Sequence, residues 1–231
     1  MEGQEKLRAA RALVVGAGGL GCPAALYLAA SGFGRLTLAD PDQVDLTNLQ
    51  RQILYGTSSV GNSKVEEARK ALASFNPEVE VQVLSKKLQQ PELEQLVPQV
   101  DVVLDCSDNF ATRHAVNRAC VRHGKPLVSG AAIRFDGQVT VFDLSRKDAP
   151  CYACLFPESG EAEEMRCAVM GVFAPLTGIV GAMQAMEAIK LVARVGEPLS
   201  GRLLIFDAKA ADWRAVRVKK DPACAVCGAR A

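Results

Sequence analysis

Two cysteine pairs and one glycine-rich turn carry the most explicit chemistry in the chain. Cys151-Tyr-Ala-Cys154 and Cys224-Ala-Val-Cys227 each hold two thiols at the spacing of half a tetrahedral site, and 70 positions separate Cys154 from Cys224. Four thiolates suit zinc rather than magnesium or calcium. A closed four-sulfur site leaves no position open for chemistry, so its expected role is structural, pinning the tail to the segment near position 151. The competing readings are redox dithiols or surface thiols, and neither pair is expected to open a helix after a strand as a thioredoxin-like dithiol would.

The second feature is Gly16-Ala-Gly18-Gly19-Leu-Gly21, which fits G-x-G-x-x-G. Such a turn lets backbone N–H groups approach a phosphate at a helix start. Asp40 follows 19 positions after Gly21, where a carboxylate can bond ribose hydroxyls. The turn alone does not distinguish a dinucleotide from ATP, whereas the next segment does. It reads Asp40-Pro-Asp42-Gln-Val-Asp45-Leu-Thr-Asn48-Leu49-Gln50-Arg51-Gln52, with Lys64 shortly beyond. Arg51 can fork onto phosphate oxygens and Lys64 can add a point charge at the β/γ end. A nicotinamide enzyme has little use for these cations, so an NAD-dependent oxidoreductase is disfavoured. Asp105-Cys-Ser-Asp108-Asn109 closes another predicted strand. Asp108 there is either a Mg²⁺ ligand facing polyphosphate or a helix N-cap.

Positioning these residues requires an alternating frame. Strands are predicted at 12–16, 36–40, 79–84, 100–104 and 127–129, with helices at 23–30, 64–75, after Pro91 and at 112–123. Residues 41–61 have no clean period and read as a long functional loop. This first part implies a parallel sheet with helices on both faces, a Rossmann-like α/β fold. Beyond Gly130 the pattern changes to antiparallel strands at 138–142, 202–206 and 213–218, with a polar, mobile crossover at 145–166 and an apolar helix at 175–195. The expectation is one domain over 1–231, with a nucleotide-binding half at 1–130 and an antiparallel, zinc-bearing extension at 131–231.

Composition removes other classes. The 231 residues are 49% hydrophobic, enough for a full core without staples. With 27 basic and 26 acidic residues, no global field draws the chain to nucleic acid or anionic lipid. Aromatics at 5% argue against a base-stacking surface. No uninterrupted apolar run approaches the roughly 18 residues of a membrane span, and the charged start does not read as a signal peptide, so the cytoplasm is the expected location.

Taken together, the Gly-x-Gly-Gly-Leu-Gly turn, the Asn48-Leu-Gln-Arg-Gln52 run, the Asp105–Asn109 segment and the paired C-x-x-C motifs resemble the MoeB/ThiF family, bacterial relatives of the ubiquitin-activating enzymes. The resemblance covers 2–228; the stretch at 128–142 and the run Gln184-Ala-Met-Glu-Ala-Ile-Lys190 are closest to the MoeB branch. It implies an adenylyltransferase that activates the C-terminal glycine of a ubiquitin-like sulfur carrier (MoaD/ThiS-like) ending in Gly-Gly. The carboxylate attacks the α-phosphate of ATP, pyrophosphate leaves, and a donor such as a cysteine desulfurase or rhodanese-like protein later supplies sulfur, for molybdopterin or thiamine synthesis. Carried over by motif, Gly16, Gly18, Gly19 and Gly21 meet the phosphates and Asp40 the ribose. Asp42, Asn48, Leu49, Gln50, Arg51, Gln52 and Asn109 complete the nucleotide site, Lys64 reaches the γ-phosphate and Asp108 holds Mg²⁺. A homodimer is implied as well.

Cys167, beside Arg166, matches a family cysteine implicated in sulfur handling, and an incidental thiol is the alternative. Cys22, Cys106 and Cys120 read as core thiols, His114 and His123 as structural or solvent-facing, and the apolar positions 176–191 as core or dimer interface. Adenylation needs no general base, because the attacking carboxylate is already ionised. Family members carry an N-terminal arm whose arginine reaches the partner subunit's ATP site. This sequence opens just past where that arm would end, with Arg8 and Arg11 nearby. The alternative reading is therefore a non-catalytic, zinc-stabilised carrier-binding protein.

Overall fold

The computed structural model describes residues 2–158 and 171–228. Eight strands form one sheet in the order β3-β2-β1-β4-β5-β6-β7-β8. The parallel part comprises β1 (Arg11–Val15), β2 (Arg35–Ala39), β3 (Glu80–Leu84), β4 (Val102–Asp105) and β5 (Leu127–Ile133). From β5 the sheet turns antiparallel through β6 (Asp136–Phe142), β7 (Arg202–Asp207) and β8 (Asp212–Arg217). The expected α/β architecture, extended by antiparallel strands, is the one found.

Successive side chains of a strand face opposite ways, and here both faces are covered. Ala12 and Val14 of β1, with Leu36, Leu38, Val102 and Leu104, enter one apolar layer beneath α1 (Glu2–Ala9), α2 (Gly21–Ala30) and α3 (Lys64–Phe75). Leu13, Val15 and Val103 enter the other, beneath α4 (Gln90–Leu96), α5 (Phe110–His123) and α6 (Tyr152–Leu155). Helix α7 (Ala174–Ala193) lies on the first face against α2, β5 and β6. Its fit is close. A methyl on Gly181 would stand 2.3 Å from the Leu20 carbonyl oxygen, and one on Gly130 would stand 2.4 Å from the Gln184 carboxamide.

Several elements depart from the sequence reading. Helix α1 is absent from the sequence reading: most of its residues are polar or charged, and Leu7 alone of them is buried. Residues 41–61 hold two short 3₁₀ turns rather than continuous irregular chain. Cys151 is the N-cap of α6, so the first pair does open a helix, although a loop separates it from β6. By length and composition α7 could cross a membrane. Gln184, Glu187 and Lys190 interrupt its apolar sequence. In the fold it is a core helix, with Gln184 and Glu187 both buried and bonded to neighbouring backbone. Arg8 and Arg11 lie at the opposite end of the parallel strands from the glycine turn.

Candidate nucleotide site and cysteine cluster

The glycine turn joins β1 to α2 at the carboxyl edge of the parallel strands, where open α/β sheets bind ligands. Gly16 has φ +99°. Gly21 leaves no room for a side chain, since a Cβ there would fall 1.9 Å from the Gly16 carbonyl oxygen. The Ala17 peptide is held from both sides: its N–H donates to Asp40 Oδ2 at 2.7 Å, and its carbonyl accepts from the Tyr55 hydroxyl at 2.7 Å. Asp40 Oδ1 accepts the Asp42 N–H at 2.9 Å. Burial pushes the Asp40 carboxyl above the usual range, opposed by the Lys64 ammonium.

A cavity of about 440 Å³ opens over this turn, a size typical of small-molecule sites. Gly16, Gly18 and Gly19 line it from the turn, and Asp40 and Asp42 from the end of β2. The 3₁₀ loop contributes Asn48, Arg51 and Gln52, with Lys64 from the start of α3 and Asp108 and Asn109 from the end of β4. Arg51 Nη2 donates to Asn48 Oδ1, which aims the guanidinium. Gln52 is 4% exposed, and its Oε1 finds no partner among the described residues. Asn109, not Asp108, caps α5, accepting the Thr112 N–H at 2.9 Å. The N-cap reading of Asp108 is therefore wrong, and its exposed carboxylate faces the cavity.

Three expected nucleotide residues do not line this cavity. Gly21 acts through the shape of the turn, Leu49 packs against the core, and Gln50 faces a neighbouring cavity bordered also by Asp45 and Thr47. Sequence reasoning missed Lys86, Lys87 and Leu88, which line the cavity after β3, and Thr177 from the first turn of α7. The segment after β3 could have been found from the rule that ligands sit at strand carboxyl ends; Thr177 had no comparable signal.

The four paired cysteines converge. Their sulfurs all lie within 4.8 Å of one another. Cys154 Sγ is 3.4 Å from Cys227 Sγ, and Cys151 Sγ is 3.8 Å from Cys224 Sγ. Bonds of about 2.3 Å to a tetrahedral zinc would place sulfurs about 3.8 Å apart, close to the Cys151–Cys224 separation, so the four donors suit an ion of that kind. Backbone N–H groups of Cys151 and Asp221 point at Cys154 Sγ.

The remaining thiols behave as core residues. Cys22, Cys106 and Cys120 are buried, and burial pushes the Cys22 thiol up to about 12 and the other two upward as well. Cys167 lies outside the described residues. His123 pairs with Glu94 at 2.7 Å, and His114 is nearly buried, with its ring edge-on to Tyr152; neither lines the cavity.

A sequence profile of the ThiF family matches residues 1–226, nearly the whole chain. The chain belongs to the ThiF family. Among curated relatives, the molybdopterin-synthase adenylyltransferase of Salmonella typhimurium is 48% identical over 227 residues, covering 98% of this chain and 90% of the relative. The adenylyltransferase and sulfurtransferase MOCS3 of Bos taurus is 48% identical over 232 residues, 100% of this chain and 50% of that protein. The crystal structure of E. coli MccB with ATP superposes with a TM-score of 0.86 at 26% identity, covering 98% of this chain and 69% of MccB.

Proposed function

We propose that this ThiF-family chain is an ATP-dependent adenylyltransferase acting on the C-terminal glycine of a ubiquitin-like sulfur-carrier protein ending in Gly-Gly, in molybdopterin synthesis. One observation carries the reading: Arg51, Lys64 and Asp108, brought by separate elements, meet the glycine turn in one cavity. The names of the molybdopterin-synthase adenylyltransferase relatives support the carrier and the pathway, and favour molybdopterin over thiamine.

The chemistry needs positioned charge and little else. A carboxylate oxygen of the carrier's terminal glycine bonds to the α-phosphorus, the bond from that phosphorus to the bridging oxygen breaks, and pyrophosphate leaves with the electron pair. Arg51 and Lys64 stabilise charge on the phosphates, while the turn's N–H groups hold them in line. The residues fit Mg²⁺ at Asp108, whose carboxylate is exposed to the cavity, and the ion would add positive charge beside the departing pyrophosphate. No histidine lines the cavity, and none is required.

Zinc at Cys151, Cys154, Cys224 and Cys227 is the second part of the proposal, as a structural ion. Thiolate ligands imply a reducing compartment, which supports a cytoplasmic location. The name of MOCS3 joins an adenylyltransferase to a sulfurtransferase, which supports a sulfur donor as partner. Ile179 and Met186, exposed on α7, support a homodimer. The non-catalytic reading is disfavoured because the charged set is retained around the turn.

The test is ATP–pyrophosphate exchange stimulated by a carrier ending in Gly-Gly. Exchange that depends on the carrier and Mg²⁺ is the expected result; its absence with every candidate carrier would refute the proposal.

A further inference from the structure

Helix α5 touches both the nucleotide cavity and the cysteine cluster, and the side chains that join them have no part in the chemistry above. At its first turn, Thr112 and Arg113 line the cavity. Arg113 Nη2 donates to the Ser107 carbonyl at 2.9 Å, directly before Asp108. Farther along the same helix, Asn117 is fully buried and grips the first cysteine pair twice. Its Nδ2 points at Cys151 Sγ at 3.6 Å, and its Oδ1 accepts the Tyr152 N–H at 2.9 Å.

Tyr152 supplies the second connection. It follows Cys151 in the chain and is 1% exposed. Its ring stands edge-on to His114 of α5, with centroids 5.2 Å apart. A continuous series of buried contacts therefore runs from Cys151 through Tyr152 and Asn117 to α5, and through Arg113 to the loop that bears Asp108.

We infer that Asn117 and Tyr152 are positioning residues that couple the cysteine cluster to the nucleotide cavity, so that metal and nucleotide each raise the affinity for the other. This rests on reading the cavity as a nucleotide site and the four cysteines as a metal site. With the metal bound, Cys224 and Cys227 hold the Cys151–Cys154 segment against α5, and Arg113 holds the Ser107–Asp108 loop in one arrangement. Without it, the segment loses its sulfur–metal attachment to the tail and is held more loosely against α5, and nucleotide binding must also bear the cost of ordering the loop.

Linkage makes the inference measurable, because any coupling must be equal in both directions. Zinc affinity of the full chain is measured by competition with a chromophoric chelator, with and without saturating Mg·ATP. ATP affinity is measured on zinc-loaded and zinc-stripped protein. In the wild type, each ligand is expected to tighten the other by about fivefold or more. In Tyr152→Leu, which removes the ring contact with His114, and in Asn117→Ser, zinc still binds and both factors fall towards one. Equal zinc affinity with and without ATP, in wild-type protein that binds ATP, overturns the coupling. Full coupling retained in both variants overturns the assignment to these two residues. A wild type that binds no ATP overturns the nucleotide reading itself.

Discussion

Lys64 and Asp42 form an ion pair inside the cavity: the ammonium stands 2.8 Å from Asp42 Oδ2, with the lysine side chain 6% exposed and the aspartate 61%. The two partners are unequally held. A phosphate entering the cavity can take over the buried cation while Asp42 turns to solvent. Lys64→Ala is therefore expected to lower pyrophosphate exchange by about tenfold to a thousandfold, as are Arg51→Ala and Asp108→Ala, the range for removing one charge-stabilising group. Wild-type exchange in all three folded variants would refute the assignment.

Gly21→Ala should damage the turn without touching any charge. The added methyl would fall 1.9 Å from the Gly16 carbonyl oxygen, a backbone atom fixed by β1. Overpacking of this kind costs about 1–3 kcal/mol. The expected outcome is a lower Tm and a smaller rise in Tm on adding Mg·ATP. An unchanged rise would mean that the turn does not shape the nucleotide site.

Elemental analysis of protein prepared without chelator should find one zinc per chain. Cys224→Ser and Cys227→Ser should each lower zinc content and Tm, because the tail then loses its attachment to Cys151 and Cys154. Full zinc content in both variants would place the ion elsewhere.

Stability should depend on pH through His114. Burial holds its imidazole below the ordinary 6.5, reinforced by Arg118 and Arg113 and opposed by Glu158. Above about 6.5 the ring is neutral in both folded and unfolded chains and has no effect on the pH slope. As the pH falls through that value the unfolded chain binds the proton first, so stability drops until the folded ring is protonated too. Urea midpoints at about pH 7.5 and 5.5 measure this, and His114→Gln should reduce the difference between them.

Cys167→Ala should keep pyrophosphate exchange, since adenylation has no need of a thiol. Slower thiocarboxylate formation in the same variant would assign it a sulfur-handling role.

The parallel half was legible because its strands are short, rich in Val and Leu and bounded by turns, and because Lys64–Phe75 has a clean helical period closed by Asn76-Pro77. The cysteine cluster was legible from spacing alone. Helix α1 was not, since its attachment is tertiary: Leu7 inserts into the core and Gln4 donates to the Ser31 carbonyl at 3.0 Å. Asp108 and Asn109 could not be ranked as caps from sequence, because both side chains are suitable and only backbone geometry decides. Lys86 and Lys87 follow the carboxyl end of β3 and were marked only by that position, whereas Thr177 reaches the cavity from a helix distant in sequence with no local pattern to mark it.

The contact of α7 with its neighbours limits how the protein can move. At Gly181 the helix meets the backbone of Leu20, and at Gln184 it sits over Gly130 with no space for a methyl group. Packed surfaces this close resist sliding past one another, which opposes shear of α7 against its neighbours. Among the described residues, adjustment around a bound substrate then falls to the cavity loops, above all the 3₁₀ segment carrying Asn48 and Arg51, over a floor made by α7 and the sheet.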